Sequence, residues 1–152
     1  MKGVMTLAEA KIMDGNITVP YTWTTGPAIG AFLTELRDNM KLIGVKCSKC
    51  GQVMCPPKDI CPKCFIKNDE YVKVGPHGTV VGFSIVHVPN DDQPAEPPYA
   101  LALINLDGAD TNLVYLLGDV NLDDVKHGMR VEPVWSEQRY GYLTDIKHFK
   151  PV

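Results

Sequence analysis

Cys47-Ser48-Lys49-Cys50 and Cys61-Pro62-Lys63-Cys64 are two CxxC pairs separated by a short, proline-containing stretch from Gly51 to Ile60. Each pair makes one sharp turn that points two sulfurs at a common place, and two such turns complete a tetrahedral tetrathiolate site. Gly51 lets the first turn bend into positive φ, and Pro62 stiffens the second. The alternative is a pair of structural disulfides in a secreted protein. Met1-Lys2-Gly3-Val4-Met5 leads into no apolar run of the kind that opens a signal peptide, so the reading places the chain in the reducing cytoplasm. Spacing therefore assigns Cys47, Cys50, Cys61 and Cys64 to a metal, with Zn2+ the default. Iron in a rubredoxin-like site would use the same ligands and would colour the protein red.

The composition fits this reading. A chain of 152 residues, 45% hydrophobic and 22% charged, suits one globular domain with a small module. The cysteine segment has too few large apolar residues to fold on burial alone. Metal ligation supplies on the order of ten kcal/mol in isolated zinc modules. No apolar run approaches the roughly twenty residues of a membrane span. The net charge of −3 argues against a nucleic-acid binder. Locally, Lys46, Lys49, Lys58, Lys63, Lys67 and Lys73 outnumber Asp59, Asp69 and Glu70 around the cysteines. That excess describes either a solvated surface or a docking face for an anion such as a phosphate-bearing cofactor.

Upstream, Asp14-Gly15-Asn16 reads as a turn. Ile29, Phe32, Leu33, Leu36 and Met40 then recur at helical spacing, which predicts an amphipathic helix from Pro27 to Lys41 with Gly44 as its stop. Downstream, β-branched runs predict strands over Thr79–Val88, Tyr99–Leu106, Asn112–Leu117, Val131–Ser136 and Tyr142–Phe149. Asn121 to Gly128 has an Asn cap, an acidic first turn and a terminal glycine, the signature of a short helix. Five strands with a short helix between the third and fourth predict an OB-type barrel, with a two-sheet sandwich as the rival. The expected architecture is thus mainly β: an N-terminal helix, a tetracysteine zinc ribbon and a five-stranded OB-fold barrel. Its divisions are a helical leader at 1–42, the ribbon at 43–70 and the OB-fold domain at 71–152.

Candidate chemistry outside the metal site is sparse. Cys55, beside Pro56-Pro57, is the one cysteine left over and reads as a partly buried hydrophobe at the tip of the inter-knuckle hairpin. His77, His87, His127 and His148 share no metal-binding spacing. Asp91-Asp92, Asp107, Asp110 and Asp123-Asp124 sit at turns or a helix start, where Asp bonds backbone. No glycine-rich phosphate loop, no GxSxG elbow and no catalytic triad is apparent, so the expected catalytic set is empty.

The ordered features resemble the DUF35 family of zinc-ribbon and OB-fold proteins. The likeness runs from Lys41-Leu42-Ile43-Gly44-Val45-Lys46-Cys47 through Cys50-Gly51-Gln52-Val53, Pro56-Pro57-Lys58 and Cys61-Pro62-Lys63-Cys64. It continues with Gly78-Thr79-Val80, Pro98-Tyr99-Ala100-Leu101-Ala102, Leu106-Asp107-Gly108-Ala109-Asp110-Thr111, Gly128-Met129-Arg130-Val131 and Phe149-Lys150-Pro151. Together these cover roughly residues 28–152. Cys55 departs from the pattern, standing where an aromatic or aliphatic residue is expected.

The resemblance implies a non-catalytic auxiliary subunit that binds a thiolase-fold partner in a hetero-oligomer and helps form its acyl-CoA site. The partner's cysteine would take the acyl group from a 3-oxoacyl-CoA, and CoA would then accept it. This chain would dock through its leader helix, Tyr21 and Trp23, while Lys46, Lys49 and Lys58 meet the CoA phosphates. A rival from another class is a single-stranded nucleic-acid module, with Tyr99, Tyr115, Trp135, Tyr140 and Tyr142 as stacking rings.

Overall fold

The computed structural model describes residue 15 and residues 19–90 and 93–152. The expected turn around Gly15 and the Asp91-Asp92 pair therefore fall wholly or partly outside the described residues.

Helix α1 spans Gly26–Asn39 and buries Phe32 and Leu36, the inward members of the predicted stripe, together with Ala28. Burying Phe32 and Leu36 contributes about 1.5–3 kcal/mol each. The helix stops within two residues of the expected end at Lys41, and Gly44 is not its stop. It ends at Met40, which adopts a left-handed φ of 51°, while Lys41 N–H reaches back to the Glu35 carbonyl at 3.2 Å.

Gly44 instead lies inside β1 (Leu42–Lys46), the central strand of a small antiparallel sheet between β2 (Val53–Met54) and β3 (Glu70–Val74). A Cβ at Gly44 would sit 2.9 Å from the Met54 carbonyl oxygen and 3.1 Å from Val53 Cγ1. Here glycine marks close packing rather than a helix stop. Strand β3, which pairs with β1 along its whole length, was not foreseen.

The remaining strands close a barrel in the order β4-β5-β6-β8-β7: β4 Gly78–Val86, β5 Tyr99–Leu106, β6 Asn112–Leu117, β7 Arg130–Trp135 and β8 Ile146–Pro151. β6 and β8 run parallel, and β7 returns to pair with the start of β4. The expected five-stranded OB-type barrel is present, and β5 and β6 begin and end at the predicted residues.

The bounds of β4 and β7 shift by one or two residues from those predicted, and two other segments differ more. The expected helix from Asn121 is a single 3-10 turn, Leu122–Asp124, capped by the Asn121 side chain. The last strand starts at Ile146 rather than Tyr142. Asp145, buried, accepts N–H bonds from Tyr140, Gly141 and Tyr142, which folds Leu143–Asp145 into another 3-10 turn.

One apolar core joins the three parts: Phe32 and Leu36 from α1, Leu42 and Val74 from the small sheet, and Val80, Ile104, Leu106, Val131, Ile146 and Phe149 from the barrel. Among the described residues no helix is long and apolar enough to cross a membrane.

Candidate metal centre and its surroundings

The two knuckles are built alike. Gly51 N–H donates to the Cys47 carbonyl at 2.8 Å, and Phe65 N–H donates to the Cys61 carbonyl at 2.9 Å. Each turn ends in a residue of left-handed φ, 74° at Gly51 and 55° at Phe65. The four ligand sulfurs lie within 4.8 Å of one another. Cys50 and Cys61 sulfurs are 3.8 Å apart. A tetrahedral site with Zn–S bonds of about 2.3 Å requires S···S separations of about 3.8 Å, so the cluster fits zinc. Cys47 and Cys61 share a small core with Val45 and Met54, against which Cys64 and Ile66 pack, while Cys50 is exposed. Backbone N–H groups of Cys50 and Lys49 pull the Cys47 thiol down to about 6, whereas burial and the neighbouring thiols push Cys64 up to about 12. Four thiolates so close repel one another, and a divalent cation is what allows all four to ionise.

The ribbon is fastened to the barrel by backbone polar groups. β2 pairs with β1 on one side; on the other, Val53 N–H donates to Asp110 Oδ2 and Val53 C=O accepts from Asp110 N–H, both at 2.8 Å. Thr111 Oγ1 then accepts from Cys55 N–H at 2.8 Å and donates to Cys55 C=O at 2.9 Å. The β5–β6 turn thus acts as a partial extra strand beside β2. Asp110 reads correctly from the sequence as a backbone-bonding turn residue, but its partner lies far away in the chain.

Cys55 packs as a hydrophobe, as expected, but is buried more deeply than the partial burial read from the sequence. It is 1% exposed inside the main core, and burial pushes its thiol up to about 12. Such a thiol is a packing group rather than a nucleophile.

Two side chains clamp α1. Thr25, at its N-cap, makes no side-chain cap; Asp59 Oδ1 accepts the Ala28 N–H instead, at 3.2 Å. Asp59 is held in place because its carbonyl accepts Asn68 N–H at 2.8 Å while Asn68 Nδ2 bonds the Lys58 carbonyl at 2.9 Å. At the other end, Arg139 Nε donates to the Arg37 carbonyl at 3.0 Å. An acid at the N-terminus and a base at the C-terminus both complement the helix dipole. Neither residue was singled out from sequence for this role, since the partners are 31 and 102 positions away.

The other candidates disperse. His77 meets Glu132 at 3.5 Å, and His127 packs its ring against Phe83 with centroids 5.7 Å apart. His87 falls just beyond β4 and is exposed. His148 is buried, with Nε2 2.9 Å from Asp119, and lies against Gly118, where a Cβ would come within 2.6 Å of the ring. Asp107 makes a two-pronged pair with Arg130 at 2.6 and 2.8 Å. Lys46 reaches Glu70 at 3.8 Å, whereas Lys49 and Lys58 are exposed with no ion pair among the described residues.

Beside α1 lies an open apolar cleft of about 380 Å³, lined by Ile29, Phe32, Leu33, Pro56, Tyr142 and Leu143. Tyr21 and Trp23, 69% and 75% exposed, form a tilted aromatic pair with centroids 4.9 Å apart. Of the five rings available for nucleic-acid stacking, Tyr99 is buried, Tyr115 hydrogen-bonds the Leu143 and Ile146 carbonyls, and Trp135 packs on the core. Tyr140 and Tyr142 remain exposed.

Comparison with known proteins agrees with this anatomy. Residues 35–70 match the family model of the ChsH2 rubredoxin-like zinc ribbon domain, and residues 71–136 that of the ChsH2 C-terminal OB-fold domain. A DUF35 domain-containing scaffold protein of Methanocaldococcus jannaschii is 34% identical over 123 residues, 78% of this chain and 86% of the relative. One from Pyrococcus furiosus is 31% identical over 133 residues, covering 82% and 93%. Among solved structures, a chain of the Ltp2-ChsH2(DUF35) aldolase matches with a TM-score of 0.62 and 26% identity over 85% of this chain and 98% of the other. A DUF35-family protein of unknown function from Sulfolobus solfataricus matches with a TM-score of 0.64 and 26% identity over 84% and 87%.

Proposed function

The chain belongs to the DUF35 family, and on that premise we propose that it is a non-catalytic scaffold subunit of a cytoplasmic hetero-oligomer whose partner is a thiolase-fold acyl-CoA acyltransferase. The observation that carries this reading is the disposition of its thiols. Four cluster in a metal site, and Cys55 is sealed in the core with its thiol raised to about 12. Thiolase chemistry needs an accessible acyl-accepting cysteine, so in this reading the covalent step belongs to the partner.

The zinc holds the ribbon together and supplies no reactive group. The helical leader at 1–42 serves docking, with Tyr21, Trp23 and the apolar cleft beside α1 as its surface. Lys49 and Lys58, with Lys46 after it leaves Glu70, would face the phosphates of a CoA bound to the partner for cleavage or formation of a 3-oxoacyl-CoA. The names of the curated relatives, scaffold proteins, and the aldolase assembly of the structural neighbour support the scaffold role.

Purified alone, the chain should show no thiolysis of a 3-oxoacyl-CoA. The complex with the thiolase-fold protein that accompanies it should be active. Robust turnover by the isolated chain would refute the proposal. Replacing Lys46, Lys49 and Lys58 together by Ala should weaken CoA binding to the complex, and unchanged affinity would remove that role alone.

A further inference from the structure

Phe65, the residue directly after the last metal ligand, occupies a backbone position that suits glycine. The equivalent position of the first knuckle is Gly51, with the same hydrogen-bonded turn and a similar positive φ. At φ 55° an aromatic residue is strained, because its Cβ crowds its own backbone. The strain is not repaid by burial within this chain, since Phe65 is 82% exposed. Ile60, on the other side of ligand Cys61, is 58% exposed and pairs across a β-bridge with Lys67. Lys63 and Lys67 are exposed and make no ion pair among the described residues. The segment from Ile60 to Lys67 therefore carries an exposed aromatic ring, an exposed aliphatic side chain and two exposed lysines, with no acid among its own residues, on a chain whose net charge is −3.

We propose that Phe65 is an interface anchor, inserted with Ile60 into an apolar pocket of the protein partner whose rim carries carboxylates facing Lys63 and Lys67. This rests on the scaffold reading above and adds a second contact region to the leader surface. A hydrogen-bonded turn braced by the metal site keeps the backbone beneath the ring preorganised, so little backbone freedom is lost on docking. Buried aromatic anchors of this kind carry a large share of interface affinity. A protein pocket suits the feature better than a nucleic acid, which needs several stacking rings along a basic groove.

The test compares wild type with Phe65→Gly, zinc-loaded and full length, against the thiolase-fold protein that co-purifies with the native chain. Phe65→Gly should leave the melting temperature of the free chain unchanged or raised, because it relieves the left-handed strain, yet should weaken association at least about tenfold. Lys63→Glu with Lys67→Glu should slow association and reduce its salt dependence. A lowered melting temperature in Phe65→Gly would make the ring structural and overturn the inference. So would an unchanged affinity in a complex that still forms, or binding of a single-stranded oligonucleotide that Phe65→Gly abolishes. Failure of the wild-type chain to bind any thiolase-fold protein would instead overturn the partner reading itself.

Discussion

At the residue scale, two positions give sharp expectations. Gly44 leaves no room for a methyl group between Met54 and Val53. Gly44→Ala should cost about 1–3 kcal/mol in denaturant unfolding, the usual penalty for overpacking; a neutral result would contradict the strand placement. The second is the Asp107–Arg130 pair. Hydrogen bonds from the Arg130 guanidinium hold the Asp107 carboxyl below its usual range. Folding thus lowers this pKa, so the pair's contribution is complete above the unfolded carboxylate's range, near about pH 4, and is lost as pH falls through the lower folded value. Asp107→Asn should melt slightly below wild type at neutral pH, and the difference should close in acid. A gap that persists at pH 2 would show that charge is not the cause. Because both side chains are about half exposed, the effect should also shrink in high salt.

At the scale of elements, α1 is a helix whose periodicity was visible but whose fastening was not. Its stripe predicts which side chains turn inward, and Phe32 and Leu36 do so. Its caps come from other parts of the fold, Asp59 and Arg139. Asp59→Ala should cost about 0.5–2 kcal/mol and speed hydrogen exchange in the first turn of α1, while Arg139→Ala should act on the last turn. Equal effects of each variant along the whole helix would argue against separate caps. β3 escaped prediction for a related reason. Glu70-Tyr71-Val72-Lys73-Val74 alternates weakly and follows a polar loop, and its value lies in pairing with β1 rather than in its own pattern.

At the scale of the whole molecule, the ribbon, helix and barrel share one core and are stitched by Asp110, Thr111 and Asp59. Removing the metal should therefore be felt beyond the knuckles. The native chain should carry one zinc per polypeptide, and chelation should release hydrogen-exchange protection in β1–β3 and α1 while β5 and β6 stay protected. Retained protection in the ribbon without metal would show that it folds on burial alone. The four-cysteine cluster, the amphipathic helix and the barrel strands β5 and β6 were legible because each depends on local sequence: two turns that converge, a 3.6-residue stripe, a run of strand-forming residues closed by a turn. What holds Asp59 under α1, buries Cys55 beneath Thr111 and lines up Gly44 between two strands depends on residues far apart in the chain. Only packing in three dimensions brings such groups within bonding distance, so only the tertiary structure decided which loops are fasteners, which thiol is inert and which ring is left facing solvent.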